Sequence, residues 1–151
     1  MDRTELRNSI LRLLARREYS RYELMQRYSK DTAEDVVESV LDELTESRYL
    51  SDARFAESFM RQRLMQYHGW QRISYDLKSK GIGAELRQGV YDTLDVDWKA
   101  LACDAWAKRF KQPPERQDRK GYARQMRYLM QKGFSHEEAN YAIRHACEAE
   151  V

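Results

Sequence analysis

The chain is predicted to be all-α, built as three tandem three-helix repeats that form an elongated, curved array. Three observations predict it. Apolar residues recur at helical spacing behind residues suited to capping a helix N-terminus. Charged residues make up 34% of the 151-residue chain, while six glycines and two prolines leave little turn chemistry for a sandwich. Finally, the pattern repeats about every fifty residues, a unit too small to bury its own apolar face alone.

The first helix is expected over Arg3 to Arg16, with Leu6, Ile10, Leu13 and Leu14 on one face. Ser20 and Glu23 form a capping box, each side chain able to bond the other's backbone N–H, and open a short helix through Leu24 to Tyr28. Thr32 and Asp35 read as a weaker version of that device, starting a helix with Val36, Val37, Val40, Leu41 and Leu44 inward. Ser51 is the expected N-cap of a helix running to about Tyr67, whose stripe is Phe55, Ala56, Phe59 and Met60. His68-Gly69 breaks it. A shorter helix from Trp70 carries Ile73 and Leu77 inward and ends at Lys80-Gly81, a C-terminal cation followed by a C′ glycine. Ala84 to Leu94 follows, with Leu86, Val90 and Leu94 inward. Asp97 caps a seventh helix bearing Trp98, Leu101, Ala102, Ala105 and Phe110, and Pro113-Pro114 marks a loop. The eighth helix is expected from about Gln117 to Gln131, and a Ser135/Glu138 capping box starts the last, with Ala139, Ala142, Ile143 and Ala146 inward.

The repeat is visible residue by residue. Leu77, Lys80-Gly81-Ile82 and Val90 match Leu129, Lys132-Gly133-Phe134 and Ala142 at an offset of 52, and Leu24, Val37 and Leu41 match Leu77, Val90 and Leu94 at 53. The expected repeats are residues 1–48, 49–96 and 97–151.

No run of apolar residues approaches the roughly 20 needed to span a membrane, and the N-terminus lacks a hydrophobic leader, so a cytoplasmic protein is expected. Cys103 and Cys147 form no CxxC, which argues against a disulfide framework or a zinc site. His68, His136 and His145 stand apart from any nucleophile motif; His145 and Cys147, two apart on a helix, point about 200° apart and cannot share a metal. Neither a catalytic residue, a metal ligand, a cofactor nor a small-molecule substrate is expected, and no Gly-rich phosphate loop is present.

Charge is more informative. The net charge of +2 hides a gradient: residues 1–50 carry nine Lys/Arg against eleven Asp/Glu, and residues 98–151 carry eleven against seven. From Lys108 to Lys132 nine cations face only Glu115 and Asp118, which favours an acidic partner. Within that run Arg116, Lys120, Arg124 and Arg127 fall on one helical stripe, opposite Tyr122, Met126, Leu129 and Met130. Arg54, Arg61, Arg63, Arg72, Lys78 and Lys80 make a second basic group, although Arg54, Glu57 and Arg61 could equally form an exposed ion-pair ladder. Ten tyrosines and three tryptophans suggest base stacking, but Tyr22, Tyr122, Trp70 and Trp98 sit at inward or near-cap positions. The short helices of the first repeat are poor DNA readers, since Glu34, Asp35, Glu38, Asp42 and Glu43 would repel phosphates.

The stretch Tyr49-Leu50-Ser51-Asp52-Ala53-Arg54-Phe55-Ala56 resembles the central signature of the RecX regulators of the bacterial RecA recombinase. Arg72-Ile73, Leu77 and Lys80-Gly81-Ile82 resemble the segment that follows it. Leu14 to Ser20 with Glu23-Leu24 is similar to the family's N-terminal signature, Asp97-Trp98 to its third-repeat start, and Gly133-Phe134 to its late glycine-aromatic pair. Where the family usually carries two glycines and a proline, this chain has Tyr67, Gly69 and Trp70. The resemblance implies the same tandem architecture and a regulator that binds the RecA–DNA filament, occupies its groove, and suppresses its ATPase and strand exchange without catalysis or cofactor. Weak, salt-sensitive binding to single- and double-stranded DNA would accompany it through the two basic groups. The alternative is a helical nucleic-acid binder that acts without the recombinase, or an adaptor for an unrelated protein.

Overall fold

The computed structural model describes residues 1–149, and among them every regular element is a helix. In chain order these are α1 (Arg3–Leu14), α2 (Arg21–Tyr28), α3 (Glu34–Glu46), α4 (Asp52–Met65), α5 (Trp70–Ser79), α6 (Ala84–Leu94), α7 (Trp98–Arg109), α8 (Arg119–Gln131) and α9 (His136–Ala149). Two capping boxes form as the spacing predicts: Glu23 N–H donates to Ser20 Oγ and Ser20 N–H to Glu23 Oε1, and Ser135 and Glu138 repeat the exchange. Ser51 accepts from Arg54 N–H, and Asp97 from Ala100 N–H, so α4 and α7 also start where predicted.

Three expectations fail locally. No Thr32/Asp35 box forms: Ala33 is the N-cap of α3, without a side-chain bond, and Thr32 Oγ1 is buried with no partner among the described residues. Starting one residue late puts Asp35 at the second helical position, where it and Glu34 act on the dipole and not on the cap. α8 starts at Arg119, two residues late, because Asp118 caps it by accepting from Gly121 N–H. Leu86 is exposed, as are its neighbours from Gly83 to Glu85, so the first turn of α6 buries nothing and Val90 carries the inward face.

The chain forms two compact units. The first is Met1–Phe59 with Leu77–Val90; the second is Met60–Asp76 with Tyr91 onward. In the first, α1 and α2 pack on α3 around Leu6, Ile10, Leu24, Val37, Val40, Leu41 and Leu44, each fully buried, and Tyr28 closes the cluster with its hydroxyl 2.6 Å from Ser9 Oγ. Each such aliphatic burial is worth about 1.5–3 kcal/mol, against the entropy of ordering the chain. In the second, α7, α8 and α9 pack on one another around Ala102, Ala105, Leu129, Phe134, Ala139, Ala142 and Ile143. A trio of rings, Trp70, Tyr91 and Trp98, adds to that packing, with centroids 4.8–6.1 Å apart.

The fifty-residue period has a structural counterpart. Gly81 and Gly133 both lie at positive φ, 80° and 108°, and both follow helices closed by the same bond, Ile82 N–H to Leu77 O and Phe134 N–H to Leu129 O. Each glycine is also a seat. A Cβ on Gly81 would lie 2.5 Å from the Cβ of Tyr22 in the first turn of α2, and one on Gly133 would lie 2.5 Å from the Cβ of Arg72 in the first turn of α5. In the second unit the seat is tied by backbone bonds, Gly69 N–H to Lys132 O (2.8 Å) and Gln71 N–H to Gly133 O (3.0 Å). Elsewhere the chain takes the left-handed turn without glycine. Arg48 (φ 67°) follows α3 and Tyr67 (φ 61°) follows α4, so both helices end on a left-handed residue that carries a side chain.

Gly133→Ala is therefore expected to destabilise the fold by at least about 1–2 kcal/mol, from the left-handed backbone alone, with the clash against Arg72 adding to it. Arg48→Gly should act in the opposite direction, by up to about 1 kcal/mol, because it relieves the same strain at an exposed position. Urea denaturation of both variants checks the pair of signs.

Candidate nucleic-acid and partner interface

α8 presents one face to its neighbours and one to solvent. Met126 and Leu129 are buried, and between them and the loop before the helix lies Gln125, only 3% exposed. Its amide is satisfied on both sides: Trp106 Nε1–H donates to Oε1 (2.8 Å), and Nε2 donates to the Gln112 carbonyl (3.1 Å). This polar pin fixes how α8 is rolled. Lys120, Arg124 and Arg127 are consequently exposed, and none of them forms an ion pair among the described residues. Arg119 and Lys120 occupy the first turn, where the helix dipole favours anions and where α8 has no acid. The charge is placed against the interest of helix stability.

Two corrections apply to the predicted stripe. Arg116 lies in the loop ahead of the Asp118 cap, not on α8, and lines a cleft of about 580 Å³ with Arg119, Arg144 and the acids Glu115 and Asp118. Met130 is 44% exposed, because Leu129 takes the inward position beside it. Met130 and Arg127 line a separate, largely apolar cleft of about 620 Å³ with Tyr122, Met126 and His136.

The second basic group is divided. Arg54, Lys78 and Lys80 belong to the first unit, Arg61, Arg63 and Arg72 to the second. Arg54 is engaged within the chain: it donates to Glu18, to the Arg48 carbonyl (2.8 Å) and to the Tyr49 carbonyl (3.1 Å), closing the end of α3. Beside it Asp52 accepts from Arg21 N–H (2.8 Å), one of the orphan amides at the start of α2. Lys80 pairs with Glu23 at 3.4 Å, and Lys78 is exposed. The acids of the first repeat are also partly used, since Glu43 is held by Arg3 and Arg7, and Asp42 by Arg21. Glu34, Asp35 and Glu38 remain exposed. Of the aromatics, Trp98 is buried and Trp70 and Tyr122 half-buried, whereas Tyr22 is 48% exposed.

In the second unit Arg63 and Arg72 gather with Lys132 around His68, a grouping that links positions too far apart to be read from sequence. His68 is 5% exposed and its Nδ1 has no partner among the described residues. Burial, then the charges of Arg72, Lys132 and Arg63, push its pKa down from 6.5 to about 4. Burial, with Arg72, also lowers that of Lys132, whose Nζ donates to the Gln66 carbonyl (2.9 Å). The unfolded chain binds a proton at His68 more readily than the folded one. Stability from this site is thus complete above pH 6.5 and declines as pH falls from 6.5 toward 4. His68→Asn should remove that share, making the loss of stability between pH 6.5 and 4 shallower by up to one proton, about 1.4 kcal/mol per pH unit, in urea titrations of variant and parent.

Comparison with known proteins meets the same three-part pattern. Residues 7–44 match the model of the RecX first three-helix domain, residues 51–90 that of the second and residues 95–143 that of the third. A "Regulatory protein RecX" of Chromohalobacter salexigens is 41% identical over 143 residues, covering 94% of this chain and 93% of that one. Another, of Vibrio cholerae, is 37% identical over the same length and shares of both chains. A crystal structure of RecX from Lactobacillus salivarius matches in fold, with a TM-score of 0.75 and 22% identity over 95% of this chain and 96% of that one. With three domain models matched in order, and relatives this similar along nearly their whole length, the chain belongs to the RecX family of regulatory proteins.

Proposed function

We propose that this chain inhibits homologous recombination by binding the RecA filament on DNA and suppressing its ATPase and strand-exchange activities, in the cytoplasm and without catalysis of its own. The exposed cations of α8 carry the reading: Lys120, Arg124 and Arg127 lie on one face, Arg119 beside them, with no acid in the first turn. Burying the other face through Gln125 and Leu129 holds them in a fixed array, which suits phosphates or acidic side chains spaced along a polymer. Arg63, Arg72 and Lys132 would supply a second binding group within the same unit. Taking the repeats as 1–48, 49–96 and 97–151, the third makes the principal contact, and Glu34, Asp35 and Glu38 of the first are left to meet basic surface on the recombinase.

The names of the relatives support regulation in general. The groove-occupying inhibition is tested by titrating the chain into RecA assembled on single-stranded DNA and following DNA-stimulated ATP hydrolysis. The rate should fall at substoichiometric protein, at a salt concentration where binding to naked DNA is weak. Reversing Arg116, Lys120, Arg124 and Arg127 together to Glu should raise the concentration for half-suppression by about tenfold or more, with the helical content unchanged. An unaltered rate with the parent chain would exclude inhibition. Tight binding to naked duplex, losing about 0.9 log units of affinity per contacted phosphate for each tenfold rise in salt, with no effect on RecA, would favour the independent nucleic-acid binder.

A further inference from the structure

We infer that the cleft where the first turn of α2 meets the end of α5 binds single-stranded nucleic acid, holding a backbone phosphate among Arg27, Lys30 and Lys80 and one base against Tyr22. This deepens, and rests on, the reading that the chain works on a DNA filament, and it assigns a second binding site outside the α8 stripe. The cleft lies within the first unit and encloses about 420 Å³, in the range of small-ligand sites. Four cations line it, Arg17, Arg27, Lys30 and Lys80, against one acid, Glu23.

Glu23 is already committed. Its carboxylate accepts from Ser20 N–H and lies 3.4 Å from both Arg17 and Lys80, so it anchors two of the cations, with only 15% of its side chain exposed. Arg27 and Lys30 are exposed and form no ion pair among the described residues, which leaves them free for an anion.

The aromatic wall separates a nucleic acid from a merely acidic partner. Tyr22 is 48% exposed, and its Cβ and Cγ lie close over the Gly81 backbone, so the root of the side chain is packed while much of the ring stays open to solvent. Beside it the Arg17 guanidinium covers the Tyr19 ring at 3.6 Å, a second flat surface. A base can use such faces only when it is unstacked, and in a duplex the base faces are buried in their own stack. The pairing of a stacking ring with phosphate-binding cations therefore points to a single strand.

The test uses the full chain and a labelled 20-nucleotide single strand, with fluorescence anisotropy read across a salt series in the absence of recombinase. Tyr22→Leu keeps the packing on Gly81 and removes the ring face; it should weaken binding about fivefold or more, and the loss should vanish on a strand carrying abasic sites. Arg27→Gln with Lys30→Gln should lower the slope of log affinity against log salt by about 0.7 for each phosphate no longer neutralised, and Lys30→Gln alone should show part of that change. Unchanged affinity and slope in these folded variants would overturn the assignment, as would a parent chain that fails to bind the strand at low salt. Variants that bind the strand normally but no longer suppress RecA would also overturn it, assigning the cleft to a protein partner. Because the strand-binding assay contains no recombinase, failure of the filament reading would leave its result intact.

Discussion

A helix end with no Cβ in the way is the constraint on which both units depend. At Gly133 the chain turns left-handed, and the first turn of α5 rests on the bare backbone so closely that the amides of Gly69 and Gln71 bond the carbonyls of Lys132 and Gly133. Orphan donors at one helix start and orphan acceptors at another helix end satisfy each other, which neither helix could do alone. Gly81 offers the first turn of α2 the same seat, but there the amide of Arg21 is taken by the Asp52 carboxylate. The stretch from Ser51 to Arg54 is thus a joint: Ser51 caps α4, Asp52 serves α2 and Arg54 closes α3.

That joint consumes charge, and two kinds of cation result. Arg54, Arg21, Arg3 and Arg7 are satisfied within the chain by Glu18, Asp42 and Glu43 or by carbonyls. Exposed pairs of this sort add little stability, roughly 0–1 kcal/mol each, and serve to set geometry. Lys120, Arg124 and Arg127 have no such acidic partners among the described residues, and Lys120 stands at the positive end of its helix. A chain selected only for stability would place acids there.

Where sequence reading succeeded, the signal was local. Capping boxes at Ser20/Glu23 and Ser135/Glu138, the N-caps at Ser51 and Asp97, and the buried stripes of α3, α4 and α9 each depend on residues three or four apart, and a helix brings those together whatever surrounds it. It failed where a competing residue lay one or two positions away. Ala33 displaced the Thr32 cap, Asp118 displaced the start of α8 and stranded Arg116 in a loop, and Leu129 left Met130 outside.

By itself the sequence determined the helical class, the three-part repeat and the basic face of α8, because periodicity, capping and the spacing of like charges act within single turns. Only the tertiary structure decided what those charges face. It withdrew Arg54 into a joint, gathered Arg63, Arg72 and Lys132 around a buried His68, and joined Arg27 and Lys30 to Lys80 across about fifty residues of chain. Such neighbours are set by the docking of one helix end on another, and the glycines that permit that docking do not record which side chains it will bring together.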